Sequence, residues 1–123
     1  MQSLIKFHGG WSYALVAISA LTGIVSLVIA AKKREIPDLL EDGYFVTFAA
    51  VYVQIVVGAY MWSKGLRPAD TTHVLYGFVP AIGILVLLST AKSLESRRAV
   101  VLGIACLLIA GMGVRGIMTG PYY

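Results

Sequence analysis

Apolar and polar positions separate into long blocks along this chain. No Asp, Glu, Lys or Arg occurs from Phe7 to Ala31, from Gly43 to Ser63 or from Thr71 to Ala91. A fourth run, Ala99 to Val114, breaks at Arg115 and resumes from Gly116 to Tyr123. A spanning helix needs about 20 mostly apolar residues, and a helix satisfies its own backbone groups where lipid offers no partner. The blocks therefore predict four transmembrane helices, near 4–31, 44–63, 72–91 and 98–119. The first run is too long for a signal-peptide core and shows no small-residue cleavage site, so it is expected to stay as a helix.

The connections between these runs are short and leave no room for a second domain, so residues 1–123 are expected to form one unit. The longest, "KKREIPDLLEDG", has Pro37 and Gly43 as breakers and Asp42 as the expected N-cap of the second helix. Short loops join antiparallel neighbours, which predicts an all-α, up-down-up-down four-helix bundle.

Composition agrees: 59% hydrophobic residues, 13% charged residues and a mean hydropathy of +0.83 exclude an ordinary soluble domain. The net charge of +4 sits in the short loops, where it reads as topology and lipid contact and not as a nucleic-acid surface. Lys32, Lys33, Arg34, Lys92, Arg97 and Arg98 lie on one side, against Lys6, Lys64, Arg67 and Arg115 on the other. The excess predicts the first and third loops in the cytoplasm, with both termini extracytoplasmic. Trp11, Tyr13, Tyr60, Trp62, Tyr76, Tyr122 and Tyr123 would then form an outer aromatic belt. The single cysteine, Cys106, reads as a small packing residue.

The candidate chemistry rests on the only two histidines, His8 and His73. Each opens an apolar run, so each lies near the start of its helix. The first and third helices of an up-down bundle run in the same direction, which puts both rings on one side of the membrane at similar depth. In a square bundle these helices are diagonal, and axes about 8–10 Å apart along an edge give a diagonal of roughly 14 Å. That gap suits two imidazoles gripping one metal. With haem iron as that metal, the porphyrin would stand between the second and fourth helices.

Gly77 follows His73 by one turn, Gly58 lies in the second helix, and Gly111, Gly113 and Gly116 lie in the fourth. These are small residues at the histidine end, where a flat macrocycle needs room. Arg115, the one charge embedded in an apolar run, is a candidate partner for haem propionates. Gln54 shares a face with Gly58 and is expected to hydrogen-bond between helices or to orient a cofactor or quinone. Ser19, Thr22, Ser26 and Thr47 are expected to satisfy themselves on their own helix carbonyls. Taken singly, each histidine reads as an interfacial side chain, Arg115 as a snorkelling one and the glycines as close-packing positions. The matched pair is what points to ligation. A sparse echo between "HGGWSYALVAISALTG" and "HVLYGFVPAIGILVLL" hints at a two-helix duplication.

With "FHGG" opening the first helix, "VQIVVG" in the second, "THVLYG" opening the third and "GVRGIMTG" closing the fourth, the chain resembles small four-helix b-type cytochrome-like membrane proteins. In outline it is also similar to one half of haem A synthase. The resemblance implies bound haem b with His8 and His73 as axial ligands, in one bis-histidine site. No acidic residue stands beside either histidine, unlike the haem A synthase pattern.

These readings lead to an electron-transfer protein with no open iron position for bond chemistry. It would relay electrons to quinone or a partner redox protein as a small subunit of a larger respiratory or photosynthetic membrane complex. The alternatives are a cofactor-free structural subunit and a chlorophyll-binding subunit with one pigment per histidine. A proton-coupled drug carrier would need a membrane-embedded carboxylate, and every Asp and Glu falls in a predicted loop. Motifs of soluble enzymes are absent, so an enzyme in its own right is not expected.

Overall fold

The structure, a computed structural model, describes residues 1–120. Among them are four α-helices, α1 (Gln2–Ala31), α2 (Asp38–Ser63), α3 (His73–Ser89) and α4 (Arg98–Thr119), with a 3-10 turn at Glu95–Arg97 leading into α4. Gln2–Ala31, Asp38–Ser63 and Glu95–Thr119 are each long and apolar enough to cross a membrane. The helix α3 is apolar but shorter, at 17 residues.

Helix α2 starts before its apolar run does, at Asp38 and not near 44. Pro37, at φ −71° and ψ 157°, stands as the N-cap, and Asp38 and Glu41 occupy the first turn. Carboxylates are favoured there because the helix N-terminus carries partial positive charge. Asp42 is thus inside the helix and is not its cap. Nor do all the acids lie in loops: Glu41 is helical and accepts both guanidinium nitrogens of Arg98 at the start of α4.

Two helices end in the same way. After α1, the N–H of Lys33 bonds the carbonyl of Ala30 and that of Arg34 bonds Ile29; after α2, Gly65 bonds Trp62 and Leu66 bonds Met61. This paired closure needs a left-handed residue. Gly65 supplies it at φ 87°, whereas Lys33 adopts φ 52° despite its Cβ.

Helix α1 packs on α2 and, most extensively, on α4; α3 packs on α2 and α4. No Cα atom of α1 comes within 8 Å of one in α3, so these two lie across the diagonal. Small residues bring the backbones together. A Cβ on Gly23 would stand 2.8 Å from Leu107 Cγ, and one on Gly113 would stand 2.7 Å from Val16 Cγ2. Close approach of this kind drives helix association in lipid, where the hydrophobic effect does not.

Burial departs from that of a water-soluble bundle: beside an apolar core, several hydroxyls are buried and many large apolar side chains face outward. Ser12, Ser19, Thr22, Ser26 and Thr47 are buried, while Leu21, Phe45, Val56, Leu85 and Leu108 face outward. Ser19 bonds the carbonyl of Leu15 in its own helix, as expected. Ser26 does not stay within α1: its hydroxyl donates to the carbonyl of Ala99 and pairs with the Tyr44 hydroxyl, tying three helices together. Cys106 is fully buried beside Leu40 and Tyr44, as a packing residue should be.

Of the expected aromatic belt, Tyr13, Tyr60 and Trp62 are exposed and Tyr76 is half-buried. Trp11 turns inward instead, its indole N–H bonding the carbonyl of Ala50 in α2 (3.0 Å), because a mid-helix carbonyl keeps a second lone pair for an inserted donor. Tyr122 and Tyr123 lie outside the described residues.

Candidate functional site

His8 sits in the second turn of α1 with its side chain buried, and His73 is the first residue of α3. Their ring centroids are 6.0 Å apart at an interplanar angle of 63°, edge towards face. The side chains thus close a diagonal that the backbones leave open.

Each ring rests on a glycine of a neighbouring helix or its end. A Cβ on Gly58 would stand 3.2 Å from His8 Cε1, tight enough that the His8 ring would have to give way by a few tenths of an ångström. A Cβ on Gly120, just after α4, would overlap the His73 ring outright. The backbone of His8 is also held. Its carbonyl accepts the Ser12 hydroxyl (2.8 Å) and the Gln54 side-chain amide (2.9 Å), and that amide reaches Ser12 Oγ as well. Gln54 therefore does bond between helices.

His73 Nδ1 lies 2.9 Å from the carbonyl oxygen of Gly116 and 3.3 Å from Thr119 Oγ1. A carbonyl can only accept, so Nδ1 carries the proton and, in the neutral ring, Nε2 carries the lone pair. Metal-ligating histidines are commonly fixed in this way, with one nitrogen donating to a backbone carbonyl and the other left to ligate. The preceding turn supports the same ring: Asp70 N–H bonds the carbonyl of Thr119, and His73 N–H bonds the carbonyl of Asp70. Asp70 Oδ1 in turn accepts the Thr72 N–H and hydroxyl. The Thr72 N–H bond, more than any other influence, holds the Asp70 carboxyl below the usual carboxylate range.

Both histidines line a cavity of about 330 Å³, near the lower end of the ~300–1,000 Å³ typical of ligand pockets. Gln54, Gly58 and Trp62 of α2, Tyr76, Gly77 and Pro80 of α3, and Met112, Gly113 and Gly116 of α4 form its walls, with Leu66 and Pro68 at the connecting loop. Pro80 lacks the N–H that would have bonded the Tyr76 carbonyl, which loosens α3 along this wall. The Gln54 Oε1 atom is buried and has no hydrogen-bond partner.

The structure therefore gathers His8, His73, Gly58 and Gly77 around one cavity. Gly111 and Arg115 lie outside it. The inward stripe of α4 runs Ile109, Met112, Gly113, Gly116; at about 100° per residue, Gly111 falls on the opposite side. Arg115 is exposed: its guanidinium stands 5.8 Å from the Tyr76 ring centroid, and its backbone carbonyl accepts the Thr119 hydroxyl (2.8 Å). Arg67 stands likewise over Trp62, at 4.0 Å. Thr119 and Gly120 escaped the sequence reading, although they continue the face of Gly116 at i+3 and i+4.

Among the described residues, no group of three or more His, Cys, Asp or Glu side chains could hold a metal ion by itself. Comparison with protein-family models, curated proteins and solved structures finds no match for the chain.

Proposed function

We propose that the chain is an up-down-up-down bundle of four membrane-spanning helices holding one haem b between His8 and His73, and that it transfers electrons. The observation that carries this reading is the meeting of the two imidazoles across the diagonal, 6.0 Å between centroids, at the edge of a largely apolar cavity. His8 and His73 would hold the metal of such a group between them. The protonated His73 Nδ1 leaves Nε2 as the ligating atom. A porphyrin supplies four of six ligands, which is why two histidines suffice where a bare metal ion would need more.

Haem held by His8 and His73 would supply a one-electron couple. The residues around it orient and insulate. Gln54 and Ser12 hold the His8 backbone, Gly116 fixes the His73 tautomer, and Trp62, Tyr76 and Met112 line the cavity beside the rings. The apolar outer surface supports a lipid setting, with quinone or a larger respiratory or photosynthetic complex as the redox partner. The charge count of the loops supports extracytoplasmic termini, which places the histidine end on that side. Ring contact this close weighs against a separate chlorophyll on each histidine.

A visible spectrum of the purified protein tests the reading. Sharp reduced-minus-oxidised bands in the green are expected. Strong red absorption would point to chlorophyll, and a featureless spectrum from cells able to make haem would leave a structural subunit.

A further inference from the structure

A second opening lies at the other end of the helices, away from the histidines. Its volume is about 230 Å³, and its walls come from the first turns of α2, the last turn of α3 and the start of α4. Helix α3 separates from its neighbours here: none of its residues beyond Ile84 is buried. Phe45 and Leu88 line the opening and are still 74% and 60% exposed, so they form the lips of a groove that opens sideways between α2 and α3.

The groove has a charged rim at one end only. Glu41 and Arg98 line it and are joined to one another, which neutralises both. Lys92 follows the lining residue Ala91, and Arg97 precedes the lining residue Arg98. Among the described residues, neither Lys92 nor Arg97 has a carboxylate within ion-pair distance. Even with Glu95 counted, the rim keeps a positive surplus. At 17 residues, α3 extends about 26 Å at 1.5 Å per residue, short of a hydrocarbon core of about 30 Å. The loop that follows is thereby drawn towards the phosphate level of the membrane.

We propose that this groove binds an anionic phospholipid, one acyl chain lying between Phe45 and Leu88 and the phosphate meeting Lys92 and Arg97. An apolar slot with cations at one end matches an acyl chain with an anionic head. Basic pockets between transmembrane helices recognise lipid head groups by this logic. The proposal rests on the chain lying in a bilayer and is independent of what the histidines hold.

The test uses full-length protein in nanodiscs of phosphatidylcholine, alone or mixed with phosphatidylglycerol. Wild type is expected to melt higher with phosphatidylglycerol and to retain it as an adduct in native mass spectrometry. The double variant Lys92→Gln/Arg97→Gln is expected to lose both effects while melting normally in phosphatidylcholine. Val101→Phe, which narrows the groove and keeps the rim charges, is expected to lose the adduct. Equal preference for phosphatidylglycerol in wild type and the double variant, or none in wild type, overturns the proposal. So does a shift of equal size from inorganic phosphate. Release of the protein from membranes by alkaline carbonate would instead overturn the bilayer setting itself.

Discussion

His8 and His73 touch, 6.0 Å between ring centroids, although no Cα atoms of their helices approach within 8 Å. Side chains and not backbones bridge the diagonal, so a group held by both rings would lie between α2 and α4. His8→Ala and His73→Ala are each expected to abolish haem retention, because one axial bond holds the iron poorly. A wild-type spectrum in both variants would end the ligation reading.

Glycine positions allow a sharper comparison. Gly120→Ala puts a methyl group against the His73 ring and is expected to push it off the Gly116 carbonyl. Loss of such a supporting bond is expected to weaken metal retention about tenfold or more. Gly9→Ala meets nothing within 4 Å and is expected to leave the site unchanged. As a mid-helix change it should stabilise the protein by about 0.5–1 kcal/mol. Haem-to-protein ratios and melting curves separate the two outcomes.

Lys33 and Gly65 occupy equivalent left-handed positions after α1 and α2. Lys33→Gly is expected to stabilise by about 1 kcal/mol and Gly65→Ala to destabilise by a similar amount, since a Cβ is costly in that conformation. Unchanged melting in both variants would remove this account of the helix ends.

Gln54→Leu removes two hydrogen bonds between helices, to the His8 carbonyl and to Ser12 Oγ, each worth about 0.6 kcal/mol on average in membranes, and with them the partnerless Gln54 Oε1. These effects oppose each other, so melting should change little. The His8 carbonyl loses a support, and the midpoint potential of a haem held as proposed is expected to move. An unmoved potential would show that Gln54 does not orient His8.

Asp70 gives the clasp beneath His73 a pH dependence with a defined sign. Its folded pKa is depressed by the Thr72 bonds, so the stabilisation is complete above the unfolded pKa and is lost as pH falls through the folded one. Wild type is expected to lose melting temperature on acidification below the usual carboxylate range. Asp70→Asn should lack that component of the loss; identical profiles would refute it.

Charge-free runs marked the helices because a bilayer tolerates few charges, and so the ends of α1 and α4 could be read closely. The start of α2 could not, because Asp38 and Glu41 are polar by composition yet stabilising at a helix N-terminus. His8, His73, Gly58, Gly77, Gly111 and Arg115 were read as one level of the bundle because depth along a helix follows from counting residues, and the first four line one cavity.

Rotation about each helix axis is what the linear order left open. When nearly every position is apolar, no face announces itself, and neighbouring small residues decide which side turns inward. Packing of α4 on α1 through Gly113 turned Gly116 towards His73 and left Gly111 and Arg115 outside. The chain by itself determined where its helices run and which residues share a level. Only the tertiary structure decided which of them meet, because contact depends on azimuth, and azimuth is fixed by packing.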